Sequence, residues 1–326
     1  VPVERITPGY DRLGELFLGT DLEFVRLSGE TVGSAEIVGV ELPGVSFKAG
    51  RWSWANLSRG SSSAGHTLFE MVLDPGDVFF HDVRATSGTV FAHGPNSHIL
   101  DTSPPQSRFL LVSVATELLE RSTGTLDRDE ATIDPDVFRV YAGAAAARFT
   151  GLALSLASAA RYAGDAGIPD AAAEGLRDDL VTTALDMMRH DDPPADVTCM
   201  RHLSALDIVM ACDAYASNRR YRAITSLALS RVAGYSERRV RAAFKEITGV
   251  SPMRFMRSRA LHEVRLDLLS GTAPSVTDAA LMWGFTELGR FSRLYRNQFG
   301  ELPSRTLERS RRRVSIATRP LHATAT

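Results

Sequence analysis

The sequence predicts a chain of more than one domain in the α+β class, with strands gathered in its first third and helices in the remainder. Three observations carry that reading. Short alternating or wholly apolar runs, separated by Gly, Pro, Asn, Asp and Ser clusters, fill the first part of the chain, and helical periodicity takes over beyond them. Charge divides along the chain as well: residues 1–218 hold 16 Lys and Arg against 31 Asp and Glu, a net of −15, whereas residues 219–313 hold 20 against 8, a net of +12. Finally, a pattern opening Gly-Tyr-Ser-Glu at Gly234 recurs as Gly-Phe-Thr-Glu at Gly284. With 326 residues, 44% hydrophobic and 23% charged, the composition is that of a globular protein and excludes a fibrous or disordered chain.

The strand candidates come first. "AEIVGVEL", "TLFEMVL", "DVFFHDV", "TVFAH" and "RFLLVSVA" are short runs divided by turns such as "LDPGDV" and "AHGPNSH", the pattern of a β-sandwich or barrel over residues 1–125. The opening "VPVERITPGYDR" has no apolar core of a secretory signal, and the two cysteines, Cys199 and Cys212, form no CxxC pair. Both features suit a reducing, cytoplasmic compartment, with the cysteines as packing residues.

Residues 126–190 change character. "AGAAAARFTGLALSLASAA" is Ala-rich and carries Arg148, which predicts a buried helix rather than a membrane span. A second helix covers 171–190, with acids early and Arg189 and His190 late, as the helix dipole favours. The seam Leu152, Leu156 and Ala160 would pack on the strand domain or on a second subunit. Residues 191–199, containing "DDPPADV", read as a linker.

The C-terminal domain, 200–313, is predicted to be all-α. In "SERRVRAAFKEITG", Ser236 is an N-cap and Gly249 a stop. Val240, Ala243, Phe244 and Ile247, with Val250 beyond, share one face, and Arg238, Arg241 and Lys245 share another with Arg239 beside them. "TSLALSRVAGYS" supplies a shorter preceding helix broken at Gly234, so the two make a helix-turn-helix. The echo repeats the unit with one extra residue after its turn: Phe291, Leu294, Tyr295 and Phe299 face inward, and Arg290, Arg293 and Asn297 face out. Between them, Ser251 and Pro252 open a linker helix of about 27 Å, close to the roughly 34 Å turn of a DNA duplex. Residues 314–326 are expected to form a disordered tail.

"FKEITGVSPMRFM" and "APSVTDAALMWGFTELGRFSRLYRNQFGELP", at their spacing, resemble the DNA-binding domain of the AraC/XylS family of bacterial transcription regulators. The resemblance implies base contacts from Arg238, Arg241 and Ala242 in the first unit and from Leu288, Gly289, Arg290 and Arg293 in the second. Ser236 and Thr286, as helix caps, would meet phosphates. Three positions depart from the family pattern: Ala260 stands where Arg is usual, Ala279 where Ile is usual and Thr306 where an aromatic residue is usual. "VLDPGDVFFHD" resembles the turn and strand of a cupin, so the family plan implies an N-terminal cupin-like β-barrel with accessory dimerising helices. Its implied partners are promoter DNA, RNA polymerase, a small-molecule effector and a second copy of the chain. No membrane partner is expected.

Trp52 and Trp54 fall on one face of a strand. With Phe79 and His81 they are candidates to line an apolar effector pocket, and Arg51 or Arg84 to meet a carboxylate at its mouth. Catalysis is not expected. The sequence has no GxSxG, Walker A or GxGxxG pattern, no cofactor motif, and no HxH metal pair among His66, His81, His93 and His98, although Glu70 follows His66 by four residues. Two alternatives remain open: control by a protein partner without a small ligand, and a cupin-type enzyme fused to a DNA-binding module.

Overall fold

The computed structural model describes residues 1–7, 13–17, 20–27, 34–73, 78–80, 83–84, 88–123, 138–163, 166–190, 203–217 and 219–317. The chain divides into two compact units, one of residues 1–24 and 33–206, the other of 25–32 and 207–326. The expected linker at 191–199 lies outside the described residues.

Alternating runs in the first unit become strands: β1 Val3–Ile6, β2 Thr20–Arg26, β3 Ala35–Leu42, β4 Val45–Trp52, β5 Asn56–Ser62, β6 His66–Val72, β7 Phe79–Phe80, β8 Val83–Arg84, β9 Val90–His93, β10 His98–Ser103, β11 Ser107–Ala115 and β12 Phe138–Tyr141. They sort into a sheet ordered β1-β3-β4-β11-β6-β9-β12 and a second ordered β2-β5-β10-β7-β8. The single closed barrel implied by the resemblance is therefore corrected to two sheets. The larger sheet ends at β12, which pairs with β9 from Phe138 opposite His93 to Tyr141 opposite Val90, and among the described residues no strand ladder joins the two sheets.

Each strand of the larger sheet presents two faces. One face, with Phe47, Phe69 and Val112, packs on Phe149 and Leu156 of α2 (Ala144–Tyr162) and Leu180 of α3 (Asp170–His190). The Phe69 and Phe149 rings lie 5.2 Å apart, and burying a side chain of that size contributes about 2–3 kcal/mol. Ala153, Ala157 and Ala160 let α2 approach closely. The Leu152, Leu156 and Ala160 seam thus packs within the chain, on its own sheet. α1 (Thr116–Thr123) continues directly from β11. The opposite face of the sheet buries Trp52, Leu68 and Leu111 with Phe24 and Ile99 of the second sheet.

The second unit is helical: α4 Leu203–Ala216, α5 Ser226–Ala233, α6 Glu237–Thr248, α7 Pro252–Ser270, α8 Val276–Met282, α9 Leu288–Phe299 and α10 Pro303–Ala317. α10 extends into the first residues of the expected tail, whose remainder, 318–326, lies outside the described residues. Pro252 sits at the start of α7, where its missing N–H leaves no bond unmade. α7 is the spine of the unit, buried at Phe255, Met256, Leu261, Val264 and Leu268 and also at Arg259 and Arg265. Both arginines are matched. Arg259 Nε lies 3.1 Å from Asp213 Oδ1, and its guanidinium also donates to the Asp213 carbonyl at 3.0 Å and to Ser217 Oγ at 3.1 Å, which fastens α7 to α4. Arg265 meets Glu301. Among the described residues no helix is long and apolar enough to cross a membrane.

Candidate functional sites

The first helix-turn-helix is set by three local devices. Thr225 caps α5 by accepting from the Ala228 N–H at 3.1 Å. Gly234 closes α5 at φ +71°, a left-handed conformation that a side chain disfavours. Ser236 then caps α6 by accepting from the Arg239 N–H at 3.3 Å. Val240, Ala243, Phe244 and Ile247 are buried, and the Phe244 ring meets Phe255 of α7 edge-on at 5.3 Å. That orientation leaves Arg238, Arg241, Ala242 and Lys245 exposed and Arg239 half-buried.

The cations of α6 are not equivalent. Arg239 pairs with Glu246 at 3.7 Å, and Lys245 Nζ donates to the Gly249 carbonyl at 2.9 Å, tying off the helix end. Among the described residues, Arg238 and Arg241 have neither an ion pair nor a side-chain hydrogen bond.

In the second unit Ser275 caps α8, accepting from the Asp278 N–H at 3.1 Å. The turn needs Gly284 twice over: its φ is +90°, and a Cβ there would lie 2.8 Å from the Arg222 nitrogen. Phe285 stacks on Tyr221 with centroids 5.6 Å apart. Thr286, expected as the cap, is not the cap. Glu287 occupies that position without a side-chain cap bond, because the extra residue after the turn moves the helix start one place along. Leu288, Gly289, Arg290, Arg293 and Asn297 are exposed, and so is Arg296. Arg290 lies 4.0 Å from Glu287.

Arg296 was missed in the sequence, yet the signal existed. When the units are aligned on Phe244 and Tyr295, Arg296 occupies the place of Lys245, and Arg293 that of Ala242. The same alignment puts Gly289 opposite Arg238 and Ser292 opposite Arg241. The second helix therefore has no arginine at the places of Arg238 and Arg241, and its Arg290 and Arg293 each fall one residue further along, opposite Arg239 and Ala242.

Thr306, the departure from an aromatic residue, is fully buried and joins a polar network. Its hydroxyl accepts from Tyr295 Oη at 2.9 Å and donates to Glu301 Oε1 at 2.9 Å. Arg309 reaches Glu301 at 3.1 Å.

In the first unit the space between the sheets encloses about 50 Å³ and is lined by Trp52, Phe80, Asp101 and Phe109 among others. Trp52 Nε1 donates to Ser103 Oγ at 2.9 Å, and its ring stacks on Phe109 at 4.6 Å. Trp54 is buried in the same apolar cluster without lining the cavity. Arg51 lies on the other face of β4, exposed and paired with Glu36 at 3.1 Å. Arg108 lines the cavity instead. Phe79 and Arg84 lie on β7 and β8, and His81 lies outside the described residues.

Beside the cavity, Glu70 of β6, His93 of β9 and Asp101 of β10 bring one ligand atom each to within 4.8 Å of one another. The sequence reading, which looked for HxH, did not foresee this group. Burial pushes both carboxyls above the usual carboxylate range, Asp101 further because Glu70 is beside it. His66 instead meets Ser63 Oγ at 2.9 Å, and His98 is exposed.

A family model for a helix-turn-helix domain matches residues 229–309, the span of both units. The chain is 43% identical over 88 residues to the XylDLEGF operon transcriptional activator 2 of Pseudomonas putida, 26% of this chain and 56% of that protein. It is also 39% identical to a crystallised probable AraC family transcriptional regulator from Rhodopseudomonas palustris, covering 32% of this chain and 97% of that one, with a TM-score of 0.30. The chain belongs to the AraC/XylS family. A further relative of this AraC/XylS protein, the probable thc operon regulatory protein of Rhodococcus erythropolis, is 35% identical over 86 residues, 26% of each chain. The match thus spans about half of the first relative and a quarter of the last.

Proposed function

We propose that the protein is a sequence-specific DNA-binding transcription regulator that activates its promoters through RNA polymerase, working as a homodimer whose N-terminal unit senses a small effector. The observation that carries the DNA reading is the pair Arg238 and Arg241, exposed in the first turns of a capped helix and uncommitted among the described residues. Such a helix enters the major groove by its N-terminal half, and Arg there can form a bidentate pair with guanine O6 and N7. Ser236 and the amides at the start of α6 suit a phosphate. The second helix offers Leu288 to a thymine methyl, and Arg290, Arg293 and Arg296 to backbone charge. The 19 residues of α7 separate the units by about 28 Å, which suits neighbouring major-groove faces of one duplex. Similarity to an operon transcriptional activator favours activation.

The test is binding to promoter duplex against salt. With six to ten phosphate contacts, affinity falls by about 10³–10⁵ between 50 and 200 mM salt. A flat response would overturn the electrostatic basis of the reading.

One observation favours a second reading of the sensor. About 50 Å³ between the sheets holds a water or two, whereas pockets for organic ligands measure about 300–1,000 Å³. Control by a protein partner, without an organic ligand, is consistent with that interior.

A further inference from the structure

We propose that Glu70, His93 and Asp101 form a binding site for a single divalent transition cation between the two sheets of the N-terminal unit. Their placement follows from strand alternation. Leu68, Glu70 and Val72 share one face of β6, and Leu68 of that face packs in the intersheet cluster with Ile99 of β10. Ile99, Asp101 and Ser103 share a face of β10 in the same way. His93 stands opposite Leu68 in the β6–β9 pairing and is fully buried. One carboxylate and one imidazole thus come from the larger sheet, and the second carboxylate comes across the interior from the smaller one.

Two further observations point to a ligand. Asp101 is only 8% exposed, and its Oδ1 is buried without a hydrogen-bond partner among the described residues, an arrangement that is destabilising if nothing meets it. The site also borders the cavity, which is too small for an organic molecule and large enough for an ion with a bound water. Two groups each about 2.0–2.2 Å from a common ion lie at most about 4.4 Å apart, so a limit of 4.8 Å closes by small side-chain rotations.

The donor set selects the ion. Two carboxylates and a neutral imidazole carry two negative charges, which a divalent cation neutralises where bulk solvent is largely excluded. An imidazole with oxygen donors suits manganese, iron, cobalt or zinc, and magnesium or calcium far less. The cation would bond the two sheets to each other. Binding stands independently of the DNA reading, and only its use as a signal rests on it.

The experiment uses the full chain, stripped with chelator and titrated calorimetrically with Mn²⁺, Co²⁺ and Zn²⁺, with Mg²⁺ as the control. The wild type is expected to bind one equivalent of at least one transition ion, and folded Asp101→Asn and Glu70→Gln to bind it at least tenfold more weakly. No binding at millimolar ion, or equal binding by the folded variants, overturns the site. Should both variants unfold, the Co²⁺-loaded wild type decides: hyperfine-shifted proton resonances from one imidazole support the site, and none or several overturn it. DNA affinity measured on the same samples separates the two readings, because a site that binds metal without changing promoter affinity leaves the proposal standing and removes only its role as a signal.

Discussion

Arg265 and Glu301 meet at 3.0 Å in the interior of the second helix-turn-helix unit, and Thr306 donates to the same carboxylate. A threonine in place of a large aromatic ring is therefore a polar connection: it joins Tyr295, Glu301 and Arg265 at one hydroxyl. Thr306→Val keeps the shape and removes that hydroxyl, leaving buried partners unmet. Urea unfolding of the full chain is expected to show a loss of about 1–3 kcal/mol. The exposed control Thr277→Val should change little. A neutral result at Thr306 would show that water replaces the hydroxyl.

The arginines of α6 should separate by function. Arg241→Ala is expected to lose about 1–3 kcal/mol on the specific duplex and to relax preference at one base pair. Arg239→Ala should lose less, since Glu246 already shares its charge. Fluorescence anisotropy on specific and random duplexes checks both. Equal losses on the two duplexes would assign Arg241 to phosphate alone.

Two glycines near the second recognition helix should respond in opposite ways. At Gly284 the positive φ and the approach of Arg222 make Gly284→Ala destabilising by more than about 1 kcal/mol. At Gly289 a Cβ meets open space, so Gly289→Ala is expected to stabilise α9 by up to about 1 kcal/mol. Thermal unfolding reads both. If Gly289→Ala binds DNA more weakly while melting higher, the backbone there approaches the duplex closely.

Cys212 is fully buried, and burial with Asp213 beside it pushes the thiol up to about 11. The folded state favours the neutral thiol. Its contribution to stability is intact below the ordinary value of 9.0 and is lost as pH rises through about 11. At pH 8 the thiolate is on the order of one part in a thousand. Peptide mapping after iodoacetamide treatment of the native protein should find Cys212 unmodified at pH 8. Fast modification would mean that α4 opens readily.

Features governed by neighbours in sequence were legible in the residues alone. Ser236 as a cap, the breaks at Gly234 and Gly284 and the buried face Val240, Ala243 and Phe244 all follow from short-range rules. The start of α9 was misplaced by one residue, although the extra residue responsible was visible between Gly284 and Phe291. Long-range pairing was not legible. That β12 caps β9 depends on a contact across more than forty positions, and no local pattern encodes it. The Glu70, His93 and Asp101 group unites three strands and two sheets, so a search for two histidines on one strand passed over it. Arg51 was read as a residue at the pocket mouth, although strand alternation already sets it on the face opposite Trp52, where the structure pairs it with Glu36.

α7 offers one more consequence. Its buried residues include apolar side chains that complete both helix-turn-helix units, and Arg259 and Arg265, which fasten it to the helices before and after. Phe255 meets Phe244 of the first unit, and Leu261, Val264 and Leu268 join Phe285, Phe291 and Tyr295 in the core of the second. The DNA-binding half therefore melts as one cooperative element rather than as two independent readers. Damage in one helix-turn-helix unit is then expected to weaken the other, and under the proposed function a variant that loses part of this half would lose contact with both grooves together.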